Sequence, residues 1–459
     1  MSPGAPPAPI IAAIATPPGR GGVGIVRVSG TQIEALVEAL LGRVPVARVA
    51  TAAMFRGADQ SVLDSGLAIY FPAPHSYTGE SVLELHGHGG PQVMRSLLQR
   101  CIELGARVAE PGEFTRRAFL NGKLDLAQAE AVADLIDAST SSAARAAARS
   151  LTGEFSREVR ALVETLTVLR THVEATLDFP DEDLEFVRAA QVASQLRALR
   201  GMLNGLLRRA RAGARLREGL TVVLAGRPNV GKSSLLNRLA REDAAIVTPI
   251  PGTTRDNVQR QIEVEGVPVT VIDTAGLRHT ADPVERVGIE RTWSAVEQAD
   301  LVLWLVDASV SRQPPDADEA AIESRLPGSI PRVTVHNKID LAGLPPQLRR
   351  DDASGASAVY LSALTGEGVS LLETEMARLA GIEHAAEDSF LARTRQVEAL
   401  RRAAQRIEAA DAELESEAPA LELVAEELRE AQVALTSITG EFTADDLLGV
   451  IFSRFCIGK

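Results

Sequence analysis

The run Gly226-Arg-Pro-Asn229-Val230-Gly231-Lys232-Ser233 follows the apolar stretch LTVVLA and leads into SLLNRLA, whose leucines recur at helical spacing. Its glycines let backbone N–H groups wrap a phosphate, and a helix start adds its own donors. Asn229, Val230, Gly231, Lys232, Ser233 and Ser234 are therefore candidate nucleotide contacts, with the Lys232 ammonium on the β and γ phosphates and the Ser233 hydroxyl on Mg2+. Three further segments follow in the order such a site requires. Asp273-Thr274-Ala275-Gly276 closes the apolar VTVID, placing a strand-end carboxylate in the metal shell and a glycine N–H where it can sense a γ phosphate. Asn337-Lys338-Ile-Asp340 follows VTVH. Asp340 can accept both donors on the N1 and N2 edge of guanine, which adenine lacks, while Lys338 can lie along the base and ribose. Ser362-Ala363-Leu364, after AVYL, offers a backbone N–H to the guanine carbonyl oxygen. The combination selects GTP over ATP.

Between the phosphate loop and Asp273 stands Thr248-Pro249-Ile250-Pro251-Gly252-Thr253-Thr254-Arg-Asp, whose Gly and Pro content marks a switch loop, with Thr254 as the second hydroxyl on Mg2+. GRPNVGKSSLLN, PGTTRD, DTAG, NKID and the terminal FCIGK, with RGGVGIVRVSG and HGHGGP nearer the N-terminus, together resemble the MnmE (TrmE) family of tRNA-modification GTPases over essentially the whole chain.

That resemblance carries expectations of its own. Leu277 follows Gly276 and is apolar, so it cannot orient a water as the Gln of many Ras-like enzymes does. The resemblance implies that Glu285 positions the attacking water through a bridging water; the plainer reading is a helix-start acid favoured by the macrodipole. It implies that Asn229 and oxygens around Thr248, Ile250 and Thr253 hold K+ in place of an arginine finger; otherwise Asn229 is a solvent-facing loop residue. G domains of this kind pair across their nucleotide faces. The N-terminal domain is expected to form a constitutive homodimer and to bind a 5-formyl-tetrahydrofolate-type donor through Arg27, Glu84, Lys123 and Lys459. The plainer readings are a strand-surface ion pair for Arg27 and Glu84 and a solvated turn for Lys123. The implied partners are tRNA and a separate FAD-dependent protein, MnmG (GidA), in a heterotetramer or larger complex. The implied product carries an aminomethyl or carboxymethylaminomethyl group on C5 of the wobble uridine. A competing reading is a switch of the Era or EngA kind that binds ribosomal RNA, but the C-terminal helices lack the GXXG loop of a KH-like module.

The elements that must position these groups fall into four segments: 1–122 as an α+β domain, 123–218 and 382–459 as the two parts of an all-α helical domain, and 219–381 as a Ras-like α/β P-loop GTPase domain inserted between them. β-rich runs at 10–15, 24–28, 67–71 and 82–86 alternate with helical patterns at 32–41 and 92–104. Ala-rich texture then predicts three long helices, about 124–150, 154–177 and 187–217. From 220 onward strands and helices alternate, the pattern of a sheet covered on both faces.

Composition narrows the partners. The 459 residues carry 48 basic and 61 acidic side chains, a net charge of −13, so bulk attraction to nucleic acid is excluded and any contact needs a local basic patch. The segment 197–217, with seven Arg and no acid, is the best candidate for tRNA or a partner, against a solvated helical face. Aromatic residues, at 3%, are too few for a base-stacking platform. Two cysteines, Cys101 and Cys456, suit a reducing compartment, and Cys456 is open to either thiol chemistry or a buried helper role. His86 and His88 lack an evident third metal ligand, and their glycines predict a tight loop. Only four of the basic residues are Lys: Lys123, Lys232, Lys338 and Lys459. Where Arg is otherwise universal, each should mark a place that needs a compact ammonium; a shared anionic ligand would unite Lys123 and Lys459. The N-terminus lacks the charge pattern of a signal peptide, and no run reaches the roughly 18 to 20 apolar residues of a membrane span, so a cytoplasmic protein is expected.

Overall fold

The computed structural model describes residues 8–178, 185–242, 259–273, 299–310, 330–351, 356–379, 390–416, 419–441, 451–452, 455–456 and 458. They divide into two compact units: Met1–Ala133 with Leu151–Val168 and Arg429–Lys459, and Asp134–Ser150 with Leu169–Leu428. The helical segments are thus shared between the units.

In the first unit β1 (Ile11–Ile14), β2 (Gly21–Gly30), β3 (Thr51–Arg56), β4 (Val62–Phe71), β5 (Ser81–Gly89) and β6 (Arg107–Val108) form a sheet in the order β3-β4-β5-β2-β1-β6. All neighbours are antiparallel except β1 and β6. Alternation decides the faces: Val26, Val28, Leu83 and Leu85 are buried with Leu36, Val37 and Leu40 of α1 (Glu34–Leu41) and Met94, Leu97 and Cys101 of α2 (Pro91–Glu103). Arg27, Glu84 and His86, one residue out of phase, share the opposite face. The tight loop expected at His86 and His88 is instead the end of β5. The glycines there serve close strand approach, since a Cβ on Gly89 would strike the carbonyl oxygens of Gly21 and Val23, beside a register irregularity between Gly21 and Gly24.

The helix expected over 124–150 is two: α4 (Leu126–Asp137) and α5 (Ser141–Leu151), preceded by the short α3 (Glu113–Leu120). Thr140 makes the break. Its hydroxyl oxygen accepts the Ala143 N–H at 3.1 Å, satisfying a helix-start donor, and donates to the Gly266 carbonyl at 2.9 Å. Helices α6 (Glu154–Asp178) and α7 (Glu185–Glu218) follow.

The second unit holds β7 (Leu220–Ala225), α8 (Lys232–Glu242), β8 (Gln259–Val264), β9 (Val267–Asp273), β10 (Leu301–Asp307), β11 (Arg332–Asn337), α9 (Ile339–Ala342), β12 (Gln347–Asp351), β13 (Ala356–Tyr360) and α10 (Val369–Leu379). The sheet order is β12-β13-β11-β10-β7-β9-β8, with five central parallel strands and an antiparallel strand at each edge. Consecutive residues Val222, Val223 and Leu224 of β7 and Val302 and Leu303 of β10 are almost fully buried, as strands covered on both faces require. Chain order reverses direction across the sheet between β7 and β10, and ligands of such sheets sit beyond the C-terminal strand ends at that point. Helices α11 (Thr394–Leu414) and α12 (Leu421–Thr439) follow, and among the described residues no helix is long and apolar enough to cross a membrane.

Candidate functional site

The loop 226–231 leaves β7 at the reversal point and enters α8. Three of its residues have positive φ: Gly226 at 138°, Asn229 at 65° and Gly231 at 98°. The two glycines are obligatory for a second reason. A Cβ on Gly226 would strike the Leu305 carbonyl oxygen of β10, and one on Gly231 would strike the Asn337 amide nitrogen. Lys232, almost fully buried, folds its ammonium back over the loop, donating to the carbonyls of Gly226 at 2.5 Å and Arg227 at 3.0 Å. Asn229, Ser233 and Ser234 are exposed at the loop and helix start, while Val230 is buried beneath. This geometry fits an anion: donors converge at a helix N-terminus with an ammonium alongside, and the Ser233 hydroxyl stands open beside them for a cation.

Asn337 ties the loop 226–231 to the loop 362–364. Its buried amide donates to the Val230 carbonyl at 2.8 Å and accepts the Ala363 N–H at 2.9 Å. Lys338 takes a left-handed conformation, φ 67°, before α9, and its ammonium lies 2.6 Å from the Asp307 carboxylate. Asp340 opens α9 with an exposed carboxylate, available to a ligand edge. Ser362 is buried, its hydroxyl accepting the Thr365 N–H at 3.2 Å, and Leu364 is exposed. Arg238 of α8 donates to the carbonyls of Ala363 and Leu364, bracing that loop from below. The structure thus brings together residues 229–234, Asn337, Lys338, Asp340 and 362–364. Asp273 ends β9 next to β7, opposite Leu224 in register. Thr248, Pro249, Ile250, Pro251, Gly252, Thr253, Thr254, Thr274, Ala275, Gly276, Leu277 and Glu285 lie outside the described residues.

Two residues at the site were not singled out from the sequence, Asp307 and Arg238. Asp307 had a legible signal: it closes the apolar LVLWLVD as Asp273 closes VTVID. Burial pushes the Asp307 carboxyl up, but hydrogen bonds from Lys338 and Ser309 outweigh this and hold it below the usual range.

In the first unit Arg27 and Glu84 form a cross-strand ion pair at 2.9 Å, and His86 Nε2 lies 3.2 Å from the same carboxylate. The Arg27 guanidinium also stands 5.5 Å from the Tyr77 ring centroid and 5.7 Å from that of Phe114, and reaches the Gly458 carbonyl at 3.4 Å. The C-terminal tail therefore folds back onto this sheet: Phe452 and Phe455 pack with Phe119 and Leu126, and Gly112 donates to the Cys456 carbonyl at 3.3 Å. Lys123 is exposed on a turn beside Gly79, and Lys459 lies outside the described residues. His88 pairs with Asp64 at 2.8 Å. Cys456 is exposed, whereas burial pushes the Cys101 thiol up to about 12.

The arginine-rich stretch 197–217 spends several of its charges within its own unit. Arg200 pairs with Asp411, Arg215 with Asp300 and Arg217 with Asp134, and Arg209 stacks over Phe390.

Comparison with known proteins gives two family matches. GTP-binding protein TrmE N-terminus covers residues 10–123, and MnmE helical domain covers residues 126–456. The tRNA modification GTPase MnmE of Azoarcus sp. (strain BH72) is 59% identical over 99% of this chain and 98% of its own length. The protein of the same description from Nitrosomonas europaea is 58% identical over 98% of this chain and 99% of its own. That from Thiobacillus denitrificans is 59% identical over 99% of each.

Proposed function

The chain belongs to the MnmE family of tRNA modification GTPases, and from that premise we propose a K+-dependent, dimerisation-activated GTPase that works with an FAD-dependent partner on the wobble uridine of tRNA. It hydrolyses GTP to GDP and phosphate in tRNA modification. The observation that carries the nucleotide reading is the Asn337 bridge, which joins a phosphate loop to a guanine loop through one buried amide. Ser233 and Thr254 hold Mg2+, which when bound draws charge from the β and γ phosphates. Asn229, with Thr248, Ile250 and Thr253, holds K+, which when bound supplies the positive charge that an arginine finger supplies elsewhere. Glu285 positions the attacking water, since Leu277 cannot.

The first unit serves the carbon donor and the dimer. Arg27, Glu84, Lys123 and Lys459 bind a 5-formyl-tetrahydrofolate-type molecule, whose pterin presents guanine-like donors and whose glutamyl tail presents carboxylates. The Arg27 contact to Gly458 supports a tail that reaches this face. Exposed Ala52, Met54 and Leu67 lie on the same face of β3 and β4, an apolar surface suited to a second copy of the chain. The product is a C5 aminomethyl or carboxymethylaminomethyl group, and the site of action is the cytoplasm.

The reading is tested by hydrolysis rates in K+, Rb+ and Na+ buffers, where equal rates would remove the K+ role. Mass spectrometry of wobble uridines from a deletion strain, with and without this chain restored, tests the product. A pull-down that yields ribosomal subunits in place of an FAD protein would favour the RNA-binding switch.

A further inference from the structure

We propose that Asp307 is a positioning residue for guanine nucleotide binding, acting through Lys338. The inference rests on the guanine-pocket reading and extends it to the carboxylate that holds Lys338. Asp307 pairs in register with Asn337 across β10 and β11, so sheet geometry alone sets it beside the Asn337-Lys338 step. The Ala308 N–H donates to the Asn337 carbonyl at 2.8 Å, locking the two strand ends together. One carboxylate oxygen of Asp307 accepts the Ser309 N–H at 3.0 Å and hydroxyl at 2.6 Å; the other takes the Lys338 ammonium at 2.6 Å. The carboxylate is thus oriented from one side and clamps a lysine on the other.

A surface ion pair of this kind is ordinarily worth little. Here the pair has a different use. Lys338 leaves a left-handed backbone position, φ 67°, and ends in a long stem with substantial rotamer freedom. With the ammonium pinned, the stem is ordered before ligand arrives, and the binding step no longer has to immobilise it. A guanidinium fork is bulkier and has a different hydrogen-bond geometry, which accounts for lysine here in a chain that uses Arg almost everywhere else.

The test uses the full chain and two probes, GDP and inorganic tripolyphosphate, which engages the phosphate loop without a base. Asp307→Ala should raise the GDP dissociation constant about tenfold while tripolyphosphate affinity stays at the wild-type value. In a Lys338→Ala background the same change should have no further effect on GDP, the signature of action through Lys338. GDP affinity within about twofold of wild type in Asp307→Ala overturns the inference. So does an equal loss of tripolyphosphate affinity, which marks a merely structural role, or an undiminished loss in the Lys338→Ala background. A wild-type chain that binds tripolyphosphate but not GDP would instead overturn the guanine reading on which the inference stands.

Discussion

At Asn229 two demands meet on one residue. Its φ of 65° lies in the left-handed region, which Asn tolerates better than most side chains, and its side chain is the proposed K+ ligand. An Ala there would remove the ligand and strain the loop together. Asn229→Gly separates them: nucleotide affinity should stay within about threefold of wild type, while K+ stimulation of hydrolysis disappears. A glycine variant that still responds to K+ would leave Asn229 with a backbone role only. Asp340 offers a second residue-scale test through chemistry alone. On the proposed reading its carboxylate accepts from N1 and N2 of guanine; an amide in its place would meet one donor with another donor. Asp340→Asn should weaken GTP binding by about a hundredfold and improve xanthosine triphosphate, whose C2 carbonyl suits the amide. Titration of both nucleotides decides it. Both residues were legible in the sequence because their motifs are contiguous. Asp307 had only the strand-end signal it shares with Asp273, and Arg238 had none: their partners are brought near by sheet pairing and by the packing of α8.

At the scale of elements, the insertion of the α/β segment is secured at both its ends by one carboxylate. Asp134, almost fully buried at the end of α4, accepts from Arg217 at 3.0 Å, just before β7, and from Arg393 at 2.8 and 3.2 Å, just before α11. Asp134→Ala would remove the acceptor that two guanidinium groups share, one of them about a third exposed, a loss of about 2 kcal/mol of stability readable from the urea midpoint. A midpoint unchanged from wild type would reduce the clasp to an incidental contact. The edge strand β12 depends on a second buried acid. Burial raises the Glu375 carboxyl, but hydrogen bonds from Arg378, Ser357 and Arg350 overcome this and bring it from 4.5 down to about 2. A folded-state value below the unfolded one contributes stability above about pH 4.5, and that contribution is lost as pH falls toward about pH 2. Midpoints measured at about pH 5 and about pH 3 should therefore fall more steeply for wild type than for Glu375→Gln. Equal slopes would show that the acid does not control this region. The split of the expected 124–150 helix belongs to the same scale. Its Ser139-Thr140-Ser141 run carries a helix-start signal that uniform Ala content masked.

For the whole molecule, the exposed apolar face formed by Ala52, Met54 and Leu67 continues across the sheet toward His86, Glu84 and Arg27. If a second chain covers that face, paired Met54→Asp and Leu67→Asp changes should convert a dimer to a monomer in sedimentation velocity. They should also weaken folate binding, because the proposed folate site borders the same surface. A double variant that sediments as wild type would place the dimer contact elsewhere.

The GTPase class and the order of its motifs were readable along the chain. Each motif is a short continuous run whose chemistry depends on local backbone and residue type, so the phosphate loop, the run that carries Asp340 and the strand-helix alternation around them could all be read in one dimension. Tertiary structure decided the rest: that Asn337 joins two loops, that Asp307 holds Lys338, that Asp134 clasps Arg217 and Arg393, and that Gly458 meets Arg27. These pairs lie 26 to 431 positions apart. No periodicity encodes them; they arise only when strand register and helix packing bring distant polar groups to hydrogen-bond distance.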